Sequence, residues 1–215
     1  MTVIAKTYGL EAERVRAAAA VGTRVRWDLR VIIDLVPAGT RVLDLGCGDG
    51  TLLSELLDRK TVFARGVEVQ EKNVRTCIAR GLSVRHGDIE HGLADFPDHA
   101  FDFVILSQTI GYLGQPLSVL SEMLRVGRFA VISMENAGYW CRRVQAVAGQ
   151  GAGSTLVSGQ PVIRSITLGQ FEKALNQLGL KAARRCFVGT LGWVWPSLFA
   201  DTAVYLVTRG EIKKQ

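Results

Sequence analysis

The ten residues RVLDLGCGDG at positions 41–50 constrain the fold more tightly than any other stretch of the chain. Val42 and Leu43 read as a short buried strand, and Asp44 stands at its end ahead of glycines at 46, 48 and 50. Residues 51–57 then place Leu52, Leu53, Leu56 and Leu57 on the buried side of a helix. A glycine-rich turn between strand and helix lets the backbone come close to a ligand and turns free amide groups toward it. The spacing is not the Gly-x-Gly-x-x-Gly fingerprint of dinucleotide sites, because a single residue separates the second glycine from the third. Asp44 and Asp49, in and beside the turn, oppose a pyrophosphate and suit a ligand with a cationic portion, such as an amino group or a sulfonium.

The same unit repeats downstream. Strands are expected within 61–69, 82–88, 101–107 and 128–134, with helices at 70–81 and 116–125 between them. FDFVILS is apolar almost throughout, as befits a strand covered on both faces. Strands alternating with helices predict an α/β fold with a parallel sheet and right-handed crossovers. Ahead of it, an N-terminal helical part occupies 1–36. Its helix over 11–36 is bent near Gly22, has Val21, Val25, Leu29, Ile32 and Ile33 on one face, and stops at 37–39. Residues 135–165 break the rhythm, and their glycine- and serine-rich core GQGAGSTLVSGQP reads as a loop or lid insertion. A helix at 168–178, a strand near 182–187, a loop carrying Trp193 and Trp195, and a last strand TAVYLVT follow. The last two strands are expected to form an antiparallel edge. A length of 215 residues suits a single domain spanning 1–215.

Composition narrows the function classes. Cys47, Cys77, Cys141 and Cys186 lie far apart, and His86, His91 and His99 have no partner at a metal-ligand spacing. This predicts reduced thiols in the cytosol and no structural zinc. The first residues lack the apolar core of a signal peptide, and no run approaches 18 apolar residues, so a cytoplasmic protein without a membrane segment is expected. The net charge of +6 permits weak attraction to nucleic acid or an acidic partner. The arginines are scattered, however, and no aromatic residues interleave with them for base stacking, which argues against nucleic acid.

Further polar residues follow the other strands. Glu68 ends the second, where a carboxylate can accept both hydroxyl hydrogens of a ribose. Asp88 ends the third and is placed to accept from an exocyclic amine, with Ile89 packing beside it; Ser107 and Gln108 follow the fourth. All stand at the carboxyl ends of parallel strands, where open α/β sheets bind ligands. Singly, Glu68 and Asp88 read equally well as helix caps or solvated acids. Jointly, with the glycine turn in front, they indicate one nucleotide-like ligand.

VLDLGCGDG, GVEV, HGDIE and FDFVILSQTI, in that order and spacing, resemble the class I methyltransferases that use S-adenosylmethionine, a likeness covering residues 40–134. RVLDLGCGDG, ARGLSVRHGDIEHGLADFPDHAFDFVILSQT, QPLSVLSEMLRVGRFAVIS and NAGYW resemble more closely the MetW-like proteins of methionine biosynthesis, from about residue 27 to about residue 150. The resemblance implies a Rossmann-like, open, mostly parallel seven-stranded sheet with helices on both faces. It also implies S-adenosylmethionine as cofactor, with S-adenosylhomocysteine as the product form. Asp44, Gly46 and Gly48 would line the methionine portion, Glu68 would bind the ribose and Asp88 the adenine, with Ile89 against the ring. Cys47 and Val69 fall among the cofactor-binding positions, and Ser107 and Gln108 would border the amino-acid end and the approach to the methyl group. MetW-like proteins are associated with the homoserine O-acyltransferase step, so the implied role is support of that enzyme as a partner. The alternative is methyl transfer to an unidentified small molecule. The chain departs from the family after the fifth strand, where Met134-Glu135-Asn136 replaces the usual proline–asparagine pair.

Methyl transfer from a sulfonium needs an aligned nucleophile and a dry pocket more than an acid or base, and no catalytic residue is assigned. Gln108, Tyr112, Glu135, Tyr139 and Trp140 are the candidates for lining that pocket, with Glu135 the carboxylate placed to deprotonate an acceptor. Cys47 sits at a helix start, which can lower a thiol pKa, although packing behind the loop is the favoured reading. Trp193 and Trp195 are expected in a partner surface, a pocket wall or simple packing. A cavity of small-molecule size before Gln108 and Tyr112 would favour an enzyme, and an open apolar surface a protein partner.

Overall fold

The computed structural model describes residues 26–149, 163–189 and 195–210. The strands are β1 (Arg41–Leu45), β2 (Phe63–Glu68), β3 (Val84–His86), β4 (Phe101–Ser107), β5 (Gly127–Glu135), β6 (Leu180–Val188) and β7 (Thr202–Arg209). They form one sheet in the order β3-β2-β1-β4-β5-β7-β6. β1 to β5 run parallel, whereas β7 is antiparallel to both β5 and β6. The helices are α1 (Trp27–Leu35), α2 (Thr51–Arg59), α3 (Glu71–Ala79), α4 (Pro116–Val126), α5 (Trp140–Val147), α6 (Leu168–Gln177) and the single turn α7 (Pro196–Phe199). The sheet is open, mostly parallel and covered by helices on both faces, as the resemblance implies. No described helix is long and apolar enough to cross a membrane.

Alternation along the strands sorts the core into two layers. Val42, Phe103, Ile105, Val131 and Val204 face α1 and α2, packing on Leu29, Ile32, Leu52 and Leu56. Leu43, Leu45, Val104, Leu106 and Ile132 face the other way, onto Leu120 and Met123 of α4 and Phe171 of α6. Burying each such aliphatic side chain contributes roughly 2 kcal/mol before entropy is counted. Asp44 pairs in register with Ile105 and therefore lies on the α1 side. Pro116 opens α4 at a position where its missing N–H costs nothing. A reciprocal Thr167–Gln170 capping box opens α6. The C-terminal carbonyls of α1 are closed by Lys60, whose Nζ donates to Ile33 O and Val36 O.

Two sequence expectations are revised. The helix expected over 11–36 is seen from Trp27 onward, and its Val21 and Val25 lie outside the described residues, as does Trp193. Within 135–165, expected as a loop or lid, α5 forms at its start, while the glycine- and serine-rich centre, 150–162, lies outside the described residues. α5 escaped the sequence reading because it buries none of its residues: Trp140, Val144 and Val147 are all exposed, so no core-facing stripe betrays it.

Candidate cofactor and acceptor site

The turn after β1 is fixed by the main chain. Gly46 and Cys47 N–H both donate to Val67 O, at 2.8 and 3.2 Å. Gly46 (φ +70°) and Gly48 (φ +57°) are left-handed, a region side chains resist. A Cβ on Gly46 would stand 2.9 Å from Thr109, so this glycine lets the β1 and β4 loops close on each other. A Cβ on Gly48 would meet nothing within 4 Å, so its backbone faces open space.

Three carboxylates follow the first three strands in different states. Glu68 is buried and braces the turn, with Oε2 accepting from Gly48 N–H and Oε1 from Gln70 N–H, both at 2.8 Å. Each oxygen keeps a lone pair for a further donor. Asp44 is 2 % exposed, and its Oδ1 has no hydrogen-bond partner. Burial pushes its pKa up to about 7, with Arg26 opposing and Glu68 adding to the shift. A buried carboxylate oxygen left without a donor, beside a turn open at Gly48, fits a ligand carrying an N–H cation. Asp88 is half exposed, its Oδ1 accepting from Glu90 N–H at 2.9 Å and its Oδ2 lying 3.3 Å from His91 Nδ1. Ile89 beside it is buried, whereas Val69 is exposed and its carbonyl lies 2.9 Å from His86 Nε2.

Two turn residues take structural roles. Asp49 accepts at Oδ1 from Thr51 Oγ–H and N–H at the start of α2, and these bonds hold its pKa low. Cys47 packs with Leu53, Cys77 and Leu82, and burial, reinforced by the Asp44 charge, pushes its thiol pKa up. Packing, not activation at a helix start, describes this thiol.

At the end of β4 lies a hub that sequence reasoning missed. Asp28, 4 % exposed, accepts at Oδ2 from Ser133 Oγ (2.7 Å), Arg26 Nη2 (3.1 Å), Ser107 Oγ (3.3 Å) and Gln108 Nε2 (3.4 Å). Its Oδ1 accepts from Arg26 Nε at 3.2 Å, and Arg26 Nη2 also reaches Ser107 Oγ at 2.8 Å. Gln108 is held left-handed (φ +55°), with its N–H on Ser133 O at 3.0 Å. The one available signal was an acid beside Leu29, on the side of the helix that carries Leu29, Ile32 and Ile33.

Beyond this hub opens a cavity of about 710 Å³, lined among others by Arg26, Trp27, Gln108, Tyr112, Glu135 and Arg164. Gln108, Tyr112 and Glu135 thus share it, as expected of pocket-lining residues. Tyr139 and Trp140 do not line it; they pack edge to face, 6.1 Å apart, at the start of α5. Glu135 is ion-paired, its Oε2 lying 2.7 Å from Arg142 Nη1, and Arg142 Nη2 reaches Asp201 at 3.4 Å. Trp195 is exposed.

The family model described as "Methionine biosynthesis protein MetW" matches residues 26–207. Over 120 residues the chain is 43 % identical to the bifunctional methionine biosynthesis protein MetXA/MetW of Rhodopirellula baltica, covering 52 % of this chain and 19 % of that protein. It is 28 % identical over 88 residues to the ubiquinone biosynthesis O-methyltransferase of Neisseria meningitidis serogroup C, covering 38 % of this chain and 37 % of that one. The chain therefore matches about a fifth and somewhat more than a third of these two curated relatives. A SAM-dependent methyltransferase from Archaeoglobus fulgidus shares the fold, with a TM-score of 0.65 at 18 % identity over 97 % of this chain and 98 % of that one. The sheet is that of the class I methyltransferases, and with the family match running from the Asp28 hub through the glycine turn and into the last strand, the chain belongs to the MetW family.

Proposed function

We propose that the protein binds S-adenosylmethionine across the carboxyl ends of β1 to β4 and transfers its methyl group to a small molecule held in the cavity before Gln108. The observation that carries this reading is Asp44, a buried carboxylate with one oxygen unpartnered beside the glycine turn. Asp44 would accept from the cofactor's ammonium group, Gly46 and Gly48 would line the methionine portion, and Glu68 would take the ribose hydroxyls. Asp88 would accept from the adenine amine, with Ile89 against the ring. Bound there, the cofactor supplies an electrophilic methyl on a sulfonium; an acceptor lone pair takes it as the carbon–sulfur bond breaks, leaving S-adenosylhomocysteine.

The chain's own contribution is placement. The Asp28 hub locks Gln108 and Arg26 between cofactor cleft and cavity, and Trp27, Ile110 and Met134 give the cavity apolar walls that limit water. A volume of about 710 Å³ falls within the range of small-molecule sites. Calorimetric titration with S-adenosylhomocysteine tests the reading. Wild type is expected to bind saturably, and Asp44→Ala and Glu68→Ala to lose binding while staying folded. A folded wild type showing no binding up to about 1 mM, about 4 kcal/mol, would sink it.

A second reading is support of homoserine O-acyltransferase in methionine biosynthesis. It is favoured by the family membership and by a relative whose name joins MetXA to MetW. Size-exclusion chromatography of the protein mixed with a purified homoserine O-acyltransferase would show a shared peak, and acyltransferase turnover would change on mixing; neither effect would count against this role. Under either reading the work is cytoplasmic, where the four free thiols stay reduced.

A further inference from the structure

The cavity before Gln108 carries charges of opposite sign on separate segments: Glu135 ends β5, Asp201 precedes β7 and Arg164 precedes α6. On the β5–β7 side, the register that pairs Glu135 with Thr202 brings Glu135 next to Asp201 at the mouth of the sheet. These two carboxylates share a single guanidinium, that of Arg142, at 2.7 and 3.4 Å. Both remain solvent-accessible and both line the cavity. Arg143, on the same helix, donates to Gly138 O and does not line the cavity. Among the described residues one negative charge is thus left over.

On the β4 side stands Arg164. Its main chain is pinned by its own N–H to Gly111 O at 2.7 Å. Among the described residues, its guanidinium donates to the carbonyls of Leu113 (3.1 Å) and Gly114 (3.0 Å) and meets no carboxylate within ion-pair distance. Two of its five N–H donors are used, and among the described residues no acid forms an ion pair with it. The remaining cation of the cavity, Arg26, is balanced by Asp28. The two groups stand on opposite sides of one cavity, Arg164 beside the turn after β4 and the carboxylate pair where β5 meets β7. A small zwitterion can place one charge-assisted hydrogen bond at each side. A purely anionic guest would add like charge beside the carboxylate pair, and a purely cationic one beside Arg164.

We infer that the acceptor taken by this cavity is a small zwitterion of the α-amino-acid class, its ammonium between Glu135 and Asp201 and its carboxylate on Arg164. The inference rests on the methyltransferase reading, and its test separates the two. Protein saturated with S-adenosylhomocysteine is screened by thermal shift against free α-amino acids of each side-chain class. The best binder is then titrated calorimetrically beside its N-acetyl and amide derivatives, each lacking one charge. The free amino acid is expected to bind, and each blocked form to bind at least about tenfold more weakly, the scale of a lost charge-assisted hydrogen bond. Arg164→Gln should weaken the free acid and erase its advantage over the amide, and Asp201→Asn should erase its advantage over the N-acetyl form. Both variants should keep wild-type affinity for S-adenosylhomocysteine. Equal binding of free and blocked forms, or no amino acid binding to protein that does take S-adenosylhomocysteine, overturns the inference alone. Failure to take S-adenosylhomocysteine removes the methyltransferase reading and the inference with it.

Discussion

Around the glycine turn the site is held through main-chain amides that donate to the end of the adjacent strand. Gly48 N–H rests on Glu68, Gly46 N–H on Val67 O, and each partner is some twenty residues away. Around the cavity beyond Gln108, side chains do the holding across far greater separations, as where Asp28 accepts from Ser133. The first region can tolerate almost no change in backbone, because its geometry is the backbone. The second can be retuned one side chain at a time without disturbing the sheet, which suits the part of an enzyme that chooses its acceptor.

The sharpest challenge to that contrast is Gly46→Ala. A left-handed alanine costs about 1–2 kcal/mol and the clash with Thr109 about 1–3 more, so urea melts should show a loss of roughly 3 kcal/mol together with lost cofactor binding. Gly48→Ala, with open space around it, should pay the conformational part alone while still weakening the cofactor; equal destabilisation by both would break the argument. Next comes Asp28→Ala, which removes the shortest hydrogen-bond partner of the buried Ser133 hydroxyl and releases the Gln108 side chain. A cost of about 2 kcal/mol is expected, with S-adenosylhomocysteine affinity changing less than it does in Asp44→Ala.

Asp44 offers a pH test of intermediate size. Its pKa rises from 3.8 to about 7 on burial, so the folded chain keeps a proton that the unfolded chain releases. Its contribution to the stability of the free protein is full below pH 3.8 and is lost as the pH climbs through about 7. An ammonium ligand needs the ionised form, so cofactor affinity should strengthen by up to about tenfold per pH unit below that point and then level off. Asp44→Asn should flatten the profile; an unchanged slope would show that another group sets it. The smallest effect belongs to the second region's scaffold: Thr167→Ala, removing the capping box of α6, should cost about 1 kcal/mol and leave cofactor binding untouched.

The same division governs what the sequence disclosed. β1 to β5, the glycine turn and the placing of Glu68 and Asp88 after strands were readable because a strand's alternation and a turn's glycines are local signals. Asp28 and the Glu135–Arg142–Asp201 cluster were not, since each needs segments brought together by the completed sheet. Asp49 adds a second role that the sequence did not show, since its Oδ1 accepts from Thr51 at the start of α2. α5 stayed hidden because it lacks the buried face by which a helix declares itself.

The position of β7 has a consequence for how the chain is made. β6 precedes it in sequence yet among the described residues pairs with β7 alone, so β6 joins the sheet only once β7 has been synthesised and laid against β5. Tyr205 and Val207 complete one layer of the core and Val204 the other, so both layers wait on the same eight residues. During translation the five parallel strands must therefore persist with the long apolar edge of β5 uncovered. A ribosome stalled shortly before residue 202 would hold a sticky intermediate, with the cofactor-binding strands already made and the sheet unable to close.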